Sequence, residues 1–147
     1  MTIDPGAMKA WAAWVVGFAI AGFLITRCSS GSSDALSFEP WDQAAFEAAR
    51  KAGQPTLVYV SAQWDPSSRE QRKVFLDPKV KEALAPFRRF KIDLSVPGPA
   101  TEKATKTLDF MGLPAFTFAG RGKDVVNLVG LQTSESLIGA ATTALRP

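Results

Sequence analysis

Hydrophobic positions follow two regimes along this chain. Residues 10–26, AWAAWVVGFAIAGFLIT, carry no charge, with Lys9 before them and Arg27 after them. At about 1.5 Å per residue a helix over this run is about 25 Å long, the short limit for crossing a hydrocarbon core. Trp11 and Trp14 fall near one end of it, where indoles favour the interface. The run predicts a membrane anchor over 10–27, following a tail at 1–9 in which Met8 is a second possible start. A cleaved signal peptide is the competing reading, against which no small-x-small site follows the apolar run. Lipidation at Cys28 needs a small residue before the cysteine, and Arg27 stands there. The stretch 28–36, opening CSSGSSD, reads as a flexible tether by composition.

Past the tether the apolar residues recur with the short periods of a folded domain, over 37–147. Trp41, Ala44, Ala45, Ala48 and Ala49 form a helical stripe, closed by Gly53 and Pro55, and predict a helix over 41–52. The run TLVYVSA at 56–62 reads as a buried central strand. A charged helix follows at 66–75, and Asp77-Pro78 restarts a second through residue 84, since Asp caps a helix and Pro suits its first turn. Residues 87–94 alternate as a strand until Val96-Pro97-Gly98-Pro99 breaks it. A helix at 100–111, strands at 115–119 and 124–129 joined through Gly120-Arg121-Gly122-Lys123, and a helix at 134–145 complete the order αβααβαββα.

Composition narrows the chemistry more than the fold. At 147 residues, 46% hydrophobic and 21% charged, the chain suits one globular core and excludes a wholly disordered protein. It has one cysteine and no histidine, which removes histidine general bases, Ser-His-Asp and Cys-His catalysis, histidine-ligated zinc and any internal disulfide. No metal or cofactor is expected. The net charge of +3 is mild. Arg69, Arg72, Lys73, Arg88, Arg89 and Lys91 alternate with Glu70, Asp77 and Glu82, so they read as a solvated surface with no call for a nucleic-acid partner.

The element order, together with Gln63-Trp64 after the first strand, Val74-Phe75-Leu76-Asp77-Pro78-Lys79-Val80, and Gly112-Leu113-Pro114 before the hairpin, resembles the thioredoxin superfamily. Within it the chain is most similar to the C-terminal periplasmic thioredoxin-like domain of transmembrane thiol:disulfide interchange proteins. The resemblance implies an α/β fold, a three-layer α/β/α sandwich with a mixed central sheet, here preceded by one transmembrane helix. It also implies that the bond before Pro114 is cis, and that the backbone beside it pairs with an extended peptide.

The chain departs from that family after Trp64. In place of Trp-Cys-x-x-Cys it has Trp64-Asp65-Pro66-Ser67-Ser68, and neither a carboxylate nor a hydroxyl can replace the thiolate that attacks a disulfide. Tyr59 stands where many family members place a buried acid. Asp65 before Pro66 is favourable cap chemistry; the alternative is that Asp65, Ser67 and Ser68 bind a ligand, or that Asp65 is a nucleophile. Cys28 is either an incidental thiol or half of an intermolecular disulfide.

Two functions follow. The first is a redox-inactive, membrane-anchored interaction module, an accessory or assembly subunit of a membrane or envelope complex, gripping a partner through Trp64, Asp65, Ser68, Leu113 and Pro114. This places it in a bacterial inner membrane, with the bilayer contacted by 10–26, the domain in the periplasm and no small-molecule substrate. The second is a thiol:disulfide oxidoreductase-related enzyme of the cell envelope, working through Cys28 or an atypical mechanism.

Overall fold

The structure is a computed structural model describing residues 36–108, 110–121 and 125–147. The tail at 1–9, the expected anchor at 10–27, Cys28 and all but the last residue of the tether lie outside the described residues. No described helix is long and apolar enough to cross a membrane.

The TLVYVS run forms a strand with every residue buried, the burial expected where helices cover both faces of a sheet. In chain order the elements are β1 (Glu39–Pro40), α1 (Gln43–Lys51), β2 (Thr56–Ser61), α2 (Pro66–Val74), α3 (Pro78–Leu84), β3 (Arg88–Asp93), α4 (Pro99–Thr107), β4 (Ala115–Ala119), β5 (Val125–Val129) and α5 (Ser134–Ala144). The sheet runs β1-β3-β2-β4-β5. β1 and β2 are parallel to β3, while β4 is antiparallel to both β2 and β5, so the sheet is mixed.

Alternation along the strands sorts the core into two layers. Leu57, Tyr59, Phe116 and Phe118 face Phe75, Val80, Leu84 and Leu137, which come from the end of α2, from α3 and from α5. Val58, Val60, Phe90 and Ile92 face the other way, onto Ala45 and Phe46 of α1 and Ala104 of α4. The result is the expected α/β/α sandwich. α5 closes so tightly on β4 that a Cβ at Gly120 would run into the Ala144 carbonyl, which leaves no side chain but hydrogen at that position.

Three boundaries differ from the hydropathy pattern, each for a local reason. Trp41 lies before α1: Asp42 caps the helix by accepting from the N–H groups of Ala44 and Ala45 at 2.9 and 3.1 Å. The Trp41 ring packs on Phe46 across that cap, centroids 5.1 Å apart, so its apolar character serves a hydrophobic staple. α4 starts at Pro99 and stops at Thr107; Leu108 turns to extended backbone and packs on the core, and Met111 is left in solvent. β1 has no counterpart in the pattern, because a two-residue edge strand containing proline carries no periodicity. It is fastened by Arg88, which donates through Nε and Nη2 to the two carboxylate oxygens of Glu39 at 3.0 and 2.9 Å.

Candidate functional site

The corner that joins β2 to α2 is built by the sequence Ala62-Gln63-Trp64-Asp65-Pro66. After Ser61 the chain turns, with the Asp65 N–H donating to the Ala62 carbonyl at 3.3 Å. Asp65 then takes extended backbone as the helix cap, and its carboxylate accepts from the Ser68 N–H at 2.6 Å. Pro66 follows in the first turn, where a missing N–H costs no helical bond. Cap chemistry is therefore what the Asp65 carboxylate does. Its pKa lies below the usual carboxylate value, chiefly through the Ser68 hydroxyl, helped by the backbone amides of Ser68 and Ser67 and by Arg69, against a desolvation that pushes the other way.

Ser68 does not reach the surface. It is 3% exposed, and its Oγ accepts from the Ala62 N–H at 3.3 Å, tying the end of β2 to the first turn of α2. Beneath it the Tyr59 hydroxyl donates to the Ser68 carbonyl at 3.4 Å, and burial pushes the phenol above its usual range. Tyr59, Ser61, Ser68, Arg72 and Asp93 surround a space of about 10 Å³ behind the corner, the size of one water. Among the described residues no cluster of His, Cys, Asp and Glu could hold a metal ion.

The remaining candidate residues arrive from β4. The pairing of Val60 with Ala115 carries Pro114 and Leu113 to the level of Ser61 and Ala62, at the same end of the sheet as the corner. The Leu113–Pro114 peptide is cis, as the resemblance implied. The Pro114 ring is buried, and its carbonyl accepts from the Gly130 N–H at 2.8 Å. Leu113 packs partly buried on the core. Trp64, in contrast, is 65% exposed. Of the five residues proposed to grip a partner, Trp64 offers large apolar area, Asp65 and Leu113 are half-buried, and Ser68 and Pro114 are buried.

Two contributors escaped the sequence reading. Ser95, in the loop after β3, accepts from the Gln63 N–H at 2.5 Å and so braces the corner from the neighbouring strand. Gln71, fully buried in α2, donates through Nε2 to the Gln132 carbonyl at 3.2 Å and accepts from the Gln132 N–H at 2.7 Å. Its amide thereby acts as a peptide-like pair for the turn between β5 and α5. The signal for Gln71 lay in spacing: Ser68, Gln71 and Phe75 share one face of the helix.

No family model matches the chain. Among curated proteins it is 33% identical over 82 residues to the thiol:disulfide interchange protein DsbD 1 of Pseudomonas aeruginosa, an alignment covering 55% of this chain and 14% of that protein. Among solved structures, the reduced C-terminal domain of Neisseria meningitidis DsbD superposes with a TM-score of 0.58 at 22% identity, over 72% of this chain and 99% of that one. Spinach chloroplast thioredoxin f superposes with a TM-score of 0.57 at 18% identity, over 79% of this chain and all of that one. At such identities the superpositions speak for the fold. The described residues form a thioredoxin-like domain, similar to the C-terminal domain of DsbD, with Asp65-Pro66-Ser67-Ser68 at the corner that follows Trp64.

Proposed function

We propose that this domain is a docking module that has given up dithiol exchange, and that it serves as an anchored accessory or assembly subunit of a membrane or envelope protein complex. The observation that carries this reading is the state of the corner. It holds no thiol, its carboxylate is spent on capping α2, and its buried serine is spent on the end of β2, while Trp64 stands in solvent. Exchange between thiols and disulfides requires an attacking thiolate and a resolving thiol. An exposed indole on a rigid corner suits the aromatic anchor of an interface. The charge-free run at 10–26 supports the anchoring, and the resemblance to the periplasmic domain of transmembrane thiol:disulfide interchange proteins supports a bacterial inner membrane with the domain in the periplasm.

The test uses the full chain, tagged and extracted in mild detergent. The wild-type chain is expected to co-purify with a protein partner, and Trp64→Ala to lose most of it with no change in thermal unfolding. The same preparation is expected to reduce insulin disulfides no faster than the uncatalysed reaction. Turnover that persists in Cys28→Ser, or partner capture indifferent to Trp64→Ala, would overturn the reading.

A further inference from the structure

β5 ends the sheet on the side away from β1, and its register fixes which groups face outward. The Gly130 N–H bonds to the Pro114 carbonyl, one step beyond the Ala115–Val129 pair. Hydrogen-bonded pairs alternate in an antiparallel ladder. Leu128 with Phe116 and Val126 with Phe118 therefore exchange bonds, and the N–H and C=O groups of Val125, Asn127 and Val129 point off the edge. Of these, the Val129 carbonyl accepts from Gln132 Nε2 at 3.0 Å and keeps a second lone pair. Val126 and Leu128 pack towards α5, while Val125 and Val129 are 49% and 48% exposed on the other face.

Among the described residues this edge carries none of the usual guards. None of the residues of VVNLV is charged, and the strand holds no proline, whereas soluble proteins blunt exposed edges with lysine, proline or bulges. The pattern also reads nearly the same in both directions: Val, Asn, Val on one face and Val, Leu on the other. Laid antiparallel about a two-fold axis through Asn127, a second copy sets Val125 against Val129, Val126 against Leu128 and Asn127 against itself. In such a pairing a charge at the axis would meet its own image. Asn127 instead meets an amide that both donates and accepts, and the outward N–H and C=O groups of Val125, Asn127 and Val129 all gain partners.

From these observations we infer that β5 is a self-association edge, on which a second copy of this chain pairs antiparallel about Asn127 and joins two sheets into one. Strands of 5 residues bury less than the roughly 1,200 Å² of a stable interface. The pairing is accordingly reversible and grows with protein concentration. It is independent of the Trp64 corner and would persist if the docking role failed.

Single cysteines test the register in the full chain carrying Cys28→Ser. Asn127→Cys brings the two Cα atoms to about 5.5 Å across a hydrogen-bonded pair, inside the span of a disulfide, so mild oxidation should give a covalent dimer. Val125→Cys should give none, because its two copies are offset by four residues along the strands, about 14 Å. Asn127→Lys, setting like charges at the axis, should shift the association equilibrium towards monomer. An oxidised Asn127→Cys chain that stays monomeric, equal cross-linking of the two cysteine variants, or unchanged association of Asn127→Lys would each overturn the proposal.

Discussion

The two sides of α2 do opposite work. Its exposed start presents Trp64 to solvent beside the Asp65 cap, while its inner face buries Ser68 and Gln71 against the ends of β2 and β5. The exposed side has side-chain area to spare, and the inner side has its polar groups already engaged. Ser68 and Gln71 both accept from backbone N–H groups, those of Ala62 and Gln132, so α2 is bolted to the end of β2 and to the turn between β5 and α5. The difference separates structural polarity from functional exposure on one short helix: a polar residue near a site is evidence for chemistry only while its hydrogen-bonding capacity is free.

The strongest challenge to this division is Gln71→Leu, which keeps the volume and deletes both bonds to Gln132. The Gln132 N–H and carbonyl, in a part-buried turn, would then lose their side-chain partner, and the domain is expected to lose about 1–3 kcal/mol. Gln71→Ala adds a cavity and should cost about 2–4 kcal/mol. Denaturant unfolding measures both. A leucine variant as stable as the wild type would show that Gln71 fills space and that the bonds contribute nothing net.

Gln71 also marks where sequence reading stops. Its neighbours Arg69, Glu70, Arg72 and Lys73 are charged and exposed, so local composition describes a solvated helix. The partner that makes it buried lies 61 residues away, and no local pattern encodes it. The strands and helices were legible because TLVYVS, the Asp-Pro caps and the alternation of 87–94 act through neighbours. β1 was not legible, since its two residues gain their structure from Arg88 and from pairing with β3. Trp41 was apolar at helical spacing, yet Asp42 decides where α1 begins, because a free carboxylate competes best at the first unpaired N–H groups. At the corner, Asp65 as a cap could be read from Asp-Pro alone. The burial of Ser68 followed only once the turn at Ala62 was seen.

A smaller effect separates the cap from any catalytic role for Asp65. The carboxyls of Asp65 and Asp77 both lie below the unfolded value of 3.8, the first held mainly by the Ser68 hydroxyl and the second by the Ser134 hydroxyl and the Lys79 N–H. A carboxyl that binds its proton less readily when folded adds stability well above its unfolded value, and that stability is lost as pH falls through the folded one. Asp65→Asn retains a capping oxygen and removes the charge. The melting temperature should therefore fall by a few degrees at neutral pH, and the gap from wild type should close below about pH 4. A gap that stays constant through the acid range would mean that the charge of Asp65 contributes nothing to folding.

Trp64→Ala should move stability least of all. The indole is 65% exposed, contributes to neither core cluster and sits in a turn whose bonds are made by Ala62, Gln63, Asp65 and Ser95. Surface substitutions of this kind stay within about 0.5 kcal/mol, so unfolding of the variant should overlay that of the wild type. That coincidence is what makes Trp64 informative: a residue costing so little to the fold, yet keeping a large apolar ring in water, has its effect on binding measured cleanly. A Trp64→Ala chain that unfolds several degrees early would show the ring to be part of the corner's own packing. Loss of a partner in that variant would then report damage to the fold, and the exposed side of α2 would join its inner face as structure.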